Sequence, residues 1–409
     1  MKIPTLPIIN QEFTLFIAAR FLFIAGLKMT PVILGWKLYE LLGSKLALGI
    51  LGLSEVIPAI LLALPAGVRV DRSNKHQLIT LCFWAYLVVM IALLVLTLPQ
   101  TILYLNNNVV AMLIYFAVFL TGVIRAYSSP AINAFLAQLV TVESLVKAAS
   151  INSMSWLIAA VIGPFIAGIL IGFVNVTWSF VLVCVLMLSA IIIFGRITPK
   201  AISWNKGKTR TWDGVKEGLK FVYHQKALLG AISLDMFAVL FGGAVALLPV
   251  FAKDILHVGP QGFGMLMSAT YLGNFLAIAY LTAKPLRQSQ GKYLIYSVAG
   301  FGLCIIVFAL SKSFLLSFMA LLVSGLFDGV SVIIRGTVFQ LFVPDEMRGR
   351  VSSVNSIFVN SSNELGQFES GVTAAYMGTI PAVLFGGTMT LLISIFSWFK
   401  IPALKKFEW

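Results

Sequence analysis

Twelve long apolar runs, separated by short polar breaks, constrain this 409-residue chain more than any other feature. A helix that crosses a bilayer needs about 20 apolar residues. Cutting at the breaks places spans 1 to 12 at 13–36, 45–66, 77–98, 109–134, 148–172, 178–195, 227–252, 261–283, 293–310, 314–338, 351–377 and 381–399. Lipid offers the backbone no hydrogen-bond partner, so runs of this length must satisfy themselves as helices. Composition agrees, since 11% of residues are charged against roughly 25% in soluble domains. The expected class is an all-α polytopic membrane protein with 12 transmembrane helices. No small-residue cleavage site follows the first run, so span 1 is expected to stay in place as a signal-anchor. Cys82, Cys184 and Cys304 fall inside apolar runs and imply no disulfide framework.

The net charge of +14 could suggest nucleic acid. Its distribution gives a different reason. With the N-terminus in the cytoplasm, 21 of the 29 Lys and Arg fall on the cytoplasmic side, four fall outside (Lys37, Lys45, Lys253, Lys312) and four lie within spans. That is the positive-inside asymmetry; it puts both termini in the cytoplasm and leaves no need for a nucleic-acid partner. The densest basic stretch lies at 196–226, with eight Lys and Arg against Asp213 and Glu217. Within it Trp212, Val215, Leu219 and Val222 recur at helical spacing with Lys216 and Lys220 between them, the pattern of an amphipathic helix lying on a membrane surface. The chain thus divides into an N-terminal six-helix bundle (1–195), a cytoplasmic linker (196–226) and a C-terminal six-helix bundle (227–409).

These halves read as copies. Shifted by 203 residues, Gly122 and Arg125 fall on Gly325 and Asp328, and Glu143, Lys147, Ser150, Asn152 and Ser153 fall on Glu346, Arg350, Ser353, Asn355 and Ser356. Gly163-Pro164-Phe165 and Gly168 fall on Gly366-Gln367-Phe368 and Gly371. Repeats of six spans, an even number, have the same orientation and are related by an axis normal to the membrane.

An ionisable group inside a span is costly, and is by default a functional candidate. Here these are Arg20 and Lys28 (span 1), Glu55 (span 2), Arg125 (span 4), Asp235 (span 7), Asp328 and Arg335 (span 10), and Glu364 and Glu369 (span 11). Spans 3, 6, 9 and 12 carry none, so every third helix is expected to face lipid and the others to share a polar interior. On span 11, Asn360, Asn363, Glu364 and Gln367 recur at i, i+3, i+4 and i+7, with Ser362 and Glu369 flanking them. That face is either a cavity wall or interhelical hydrogen-bond glue. The repeat sets Arg125 against Asp328, and Arg20 near the counterpart of Asp235, so each half offers a cation where the other offers an acid. Burial disfavours the charged form of an acid. Asp235 and Asp328 are therefore the candidate proton carriers, with Arg20 and Arg125 as partners, and a structural salt bridge is the alternative. Lys28 and Glu55 join the candidate substrate cavity with the span-11 face. Arg335 is expected to snorkel toward the cytoplasmic surface.

The loop Gly67-Val-Arg-Val-Asp71-Arg72-Ser-Asn-Lys75-His76, between spans 2 and 3, resembles the signature of the major facilitator superfamily, with His76 where a second basic residue is common. The resemblance implies that Gly67, Asp71, Arg72 and Lys75 form a cytoplasmic gate, latched in one state of alternating access. Arg125 resembles the Arg of the superfamily's fourth-span motif, which implies proton coupling. Gly163-Pro164-Phe-Ile-Ala-Gly168 resembles the fifth-span motif that shapes the half-to-half interface in exporters, departing from it at Ala159 and Ala167. Ala19-Arg20-Phe21, Gly35-Trp36, Asp254-Ile-Leu-His257-Val-Gly259-Pro260, Met347-Arg-Gly-Arg350 and Gly366-Gln-Phe-Glu-Ser-Gly371 resemble the enterobactin-exporter/macrolide-efflux branch of drug:proton antiporters.

The expected function is proton-coupled efflux of a siderophore-like or amphipathic drug-like organic molecule, bound near the midplane and moved by rocking of the halves. The resemblance places such a protein in a bacterial cytoplasmic membrane, as a monomer working with protons, lipid and a small-molecule substrate. A lysophospholipid or lipid transporter, a siderophore importer, and a non-transporting receptor of the same fold stay open. There is no phosphate-binding loop, no metal-ligand spacing and no nucleotide-binding domain, so neither an enzyme, a cofactor, a metal nor a primary pump is expected.

Overall fold

The computed structural model describes residues 10–200, 212–286, 288–344 and 347–408. Lys2, Lys206, Lys208, Arg210, Arg287 and Glu346, and the side chains of Trp212, Asp213, Val215, Arg348, Ser353, Ser356 and Asn360, lie outside the described residues. Among the described residues, eleven helices are long and apolar enough to cross a membrane. Span 11, Arg348–Met377, is a helix of 30 residues packed among them, but its polar face takes it below that hydropathy. The chain folds as an all-α bundle of about twelve long helices.

Local chemistry sets the helix ends. Asn10 caps span 1 (Gln11–Leu42) by accepting from the Phe13 amide, and Gly43 ends it with φ 59°, a left-handed value that glycine adopts without a Cβ clash. Ser44 then caps span 2 (Lys45–Arg72), so two residues make the whole turn. Asn74 and Asn175 cap spans 3 (Lys75–Leu96) and 6 (Val176–Phe194) in the same way. Span 4 (Asn107–Leu139) runs unbroken through Pro130. Span 7 does not stay regular: the helix Lys226–Gly242 stops at the Gly242–Gly243 pair and continues to Ile255 as a 3-10 turn, a short α turn that holds Pro249, which has no amide to donate, and a π turn.

Spans 3, 6, 9 and 12 turn large apolar side chains outward, among them Leu81 and Val88, Trp178 and Ile192, Leu303 and Leu310, and Ile395 and Phe399. Spans 1 to 6 pack on one another, as do spans 7 to 12, and the halves meet along two seams, span 2 on span 11 and span 5 (Leu145–Phe173) on span 8 (Gly259–Ala283). The close approaches across these seams lie toward the end opposite the basic loops. There Gly49 faces Gly371, Gly168 faces Gly264, and Tyr39 donates to Asp254. One apolar core accordingly runs through the first half and crosses into the second at that end, through Leu247, Phe251, Phe263 and Ala374. At the basic end, the second half has a separate core that includes Val222, Leu228, Val338, Val351 and Leu404. Among the described residues the halves thus touch toward one end, and at the other end the second half has a core of its own.

The linker helix Trp212–His224 differs from a simple surface helix. Val222 is buried while Leu219 is exposed, Gly218 lies against the Arg350 backbone, and Glu217 pairs with Arg350 at 2.7 Å. It docks on the basic end of span 11, because its glycine lets the two backbones meet.

Candidate functional site

Three groups of polar side chains lie at mid-depth. In the first, Gly122 lets span 4 lie directly on span 2, where an added Cβ would stand 2.7 Å from Pro58. One turn later, Arg125 Nη1 donates to Glu55 Oε1 at 2.7 Å and to Glu364 Oε1 of span 11 at 2.6 Å. Glu364 Oε2 is buried with no partner among the described residues. One guanidinium thus holds two carboxylates, one from each half, which leaves the trio with an acid in excess. Charge-assisted bonds of this length are the strong kind, and this one ties the halves together.

The second group belongs to the second half alone. Asp235 of span 7 is buried and pairs with Arg335 of span 10 (Phe314–Phe342), whose Nε also donates to Ser331 at 3.2 Å. Asp328, two turns before Arg335, accepts from Asn274 Nδ2 of span 8 at 2.6 Å and lies within electrostatic reach of both Asp235 and Arg335. Gly325 makes this crossing possible, its Cα facing the Thr270 backbone. Here two acids share one base.

The third group lines the first half. Arg20 donates to Asn152 of span 5, and its Nε is buried without a partner. Lys28 donates to the Tyr271 hydroxyl of span 8 at 3.0 Å, and its Nζ lies 4.8 Å from the ring centres of both Trp156 and Tyr271. Such stacking over aromatic faces stabilises a partly desolvated cation. Among the described residues no carboxylate pairs with Arg20 or Lys28.

The expected pairing of Arg20 and Arg125 with Asp235 and Asp328 does not occur. Each acid is answered within its own half by Arg335 or Asn274, and among the described residues the ion pair across the mid-depth seam is Arg125 with Glu364. Arg335 does not snorkel to the surface, because Asp235 and Ser331 hold it inside. The polar face of span 11 divides: Glu364 and Gln367 lie against Gly52 of span 2, Asn363 is exposed and bonds the Val359 carbonyl, and Ser362 does the same from a buried position. Glu369 is half-buried and has no ion-pair partner among the described residues. The expected loop is mostly helix: Gly67, Asp71 and Arg72 are in the last turns of span 2, Lys75 starts span 3, Gly67 and Lys75 are buried, and Lys75 donates to the Asp71 carbonyl at 3.0 Å. His76 stacks on Phe194 at 4.8 Å. Gly163 lies against the Ala25 carbonyl and Lys28, whereas Pro164 and Gly168 lie against Gly264 on span 8.

Sequence reasoning did not single out Asn274, Trp156 or Tyr271. A signal existed for one: Asn152, Ser155 and Trp156 stand at i, i+3 and i+4 on span 5, one helix face that ends in a polar-aromatic pair. Tyr271 has no such pattern and is found by its distance to Lys28.

Comparison with known proteins agrees with this architecture. The sequence model of the Major Facilitator Superfamily matches residues 16–367. The chain is 23% identical over 394 residues to the staphyloferrin A transporter of Staphylococcus aureus, covering 95% of this chain and 96% of the relative. It is 24% identical over 301 residues to the enterobactin exporter EntS of Escherichia coli, covering 71% of each. Among solved structures it is similar in fold to a D-xylose–proton symporter, with a TM-score of 0.74 at 13% identity over 97% of this chain and 99% of the other.

Proposed function

The chain belongs to the major facilitator superfamily, and from that premise we propose that it exports a siderophore-like or amphipathic organic molecule in exchange for protons. It is a membrane transporter of small molecules and not an enzyme; cargo, direction and coupling are the proposal. The observation that carries it is that the close contacts between the halves gather toward one end of the bundle. Spans 2 and 11, and spans 5 and 8, touch through glycines away from the basic loops, while the cores of the halves separate toward them. A cargo entering from the basic side would reach mid-depth between spans 1, 2, 4, 7, 10 and 11 and meet the three polar groups.

In this mechanism the bundles 1–195 and 227–409 rock about that site, with the 196–226 linker spanning them. Gly67, Asp71, Arg72 and Lys75 latch the basic end once it closes, and the Gly168–Gly264 and Gly49–Gly371 contacts part at the other end. Asp235 and Asp328 carry the protons. Two acids near one guanidinium, Asp235 paired with it and Asp328 within its reach, hold a negative charge that a proton neutralises. Arg125 acts as the link between halves, since protonation of Glu55 or Glu364 weakens its grip. The names of the two siderophore-handling relatives support this cargo class, and the basic loops support a bacterial cytoplasmic membrane with both termini inside.

The test is proton movement. Protein in liposomes with a trapped pH-sensitive dye should move protons when metal-free siderophores or a cationic amphiphile are added, and stay silent with none. Saturable binding with no proton movement for any of them would leave a receptor instead.

A further inference from the structure

We propose that the wall built by spans 1 and 5 is a binding site for carboxylates of a polyacidic, water-soluble cargo; calling that ligand a cargo rests on the transport reading above. Four cations lie at mid-depth among the described residues. Arg125 and Arg335 each have acids on them, as buried cations require. Arg20 and Lys28 have none, although both are half-buried at mid-membrane. Their neighbours are neutral, and two donors beside them are unused. Asn152 spends its carbonyl oxygen on Arg20, Trp156 and Tyr271 offer ring faces to Lys28, and Arg20 Nε and Ser155 Oγ are both buried with no partner.

Unused buried donors beside unpaired cations are expensive unless something fills them. An oxyanion does, because a guanidinium and a hydroxyl both donate to carboxylate oxygens. Spacing then separates a single small anion from a polyacid. Arg20 and Lys28 are eight residues apart on one helix, about 12 Å along its axis, which one carboxylate cannot bridge and a molecule with several can. A carboxylate arriving at Lys28 also competes with the Tyr271 hydroxyl, a contact between the two halves.

Full-length protein in phosphatidylcholine nanodiscs should be titrated calorimetrically with citrate and benzene-1,3,5-tricarboxylate, and with uncharged triethyl citrate. Saturable binding of both acids and none of the ester is expected. Arg20→Gln and Lys28→Gln should each weaken acid binding about tenfold or more, the loss of one charge-assisted bond, while Lys28→Arg stays close to the parent. No acid binding, equal binding of the ester, or unchanged affinity in both Gln variants would overturn the assignment. The acid–ester contrast needs no variant, so a misfolded mutant cannot mask the answer. Loss of citrate binding when phosphatidylglycerol is added would give the wall to a lipid headgroup and overturn a soluble cargo. Acid binding without proton movement in liposomes defeats the transport reading and leaves the site; proton movement without acid binding does the reverse.

Discussion

Span 4 crosses span 2 as span 10 crosses span 8, and the two crossings share a backbone while differing in charge. Gly122 and Gly325 each bring two helices to near contact, and three residues later one crossing carries Arg125 and the other Asp328. Arg125 meets Glu55 at its own crossing and takes a second acid, Glu364, from the opposite half. Asp328 is met by the neutral amide of Asn274, and the nearby base, Arg335, belongs to Asp235. The first crossing is therefore tied to the seam and must feel any rocking of the halves. The second is complete within its own bundle. Inverted signs at related positions do not mean that the two positions pair with each other; they let one site serve as a link and the other as a self-contained acid store.

Four substitutions probe that contrast. Arg125→Gln leaves the buried Glu364 and the half-buried Glu55 opposed with no base between them, so it should cost about 3 kcal/mol, the low end for a broken buried ion pair. Thermal unfolding of the purified protein should fall sharply, and adding Glu364→Gln to the same protein should restore much of it. No recovery would mean that the trio is not the source of the cost. Next come Gly122→Ala and Gly325→Ala, which force a methyl between touching backbones and should each cost about 1–3 kcal/mol. Equal losses support a shared crossing, whereas a loss at only one would break the comparison. The smallest effect on stability belongs to Asp328→Asn, which keeps a hydrogen-bonding group toward Asn274 and should cost about 1 kcal/mol or less. Uphill transport in liposomes should nonetheless drop, because the acid is gone. If Asp328→Asn unfolds the protein as badly as Arg125→Gln, the acid is structural and the distinction between link and store fails.

Much of the architecture was legible before any coordinates. Apolar length, the basic loops and the period-three absence of charges in spans 3, 6, 9 and 12 are each settled by the chain's encounter with lipid and water, one segment at a time. Lys28 and Glu55 could be read as interior residues for the same reason. Their partners could not. Whether Arg125 reaches Glu364 or Asp328, and whether Arg335 turns to Asp235 or to the surface, depends on helix rotations of a few ångströms between segments hundreds of residues apart. The 203-residue shift matches positions within the two copies, and it carries no information about contacts between them.

Sequence alone determined the number of long helices, their polar and lipid-facing classes, and the glycines at which backbones can meet. Only the tertiary structure decided where the halves touch, which acids and bases are joined, and that among the described residues Arg20 and Lys28 have no acid. The reason is physical: transfer from water to lipid is a property of each segment's own surface, whereas an ion pair exists only where two side chains come within bonding distance.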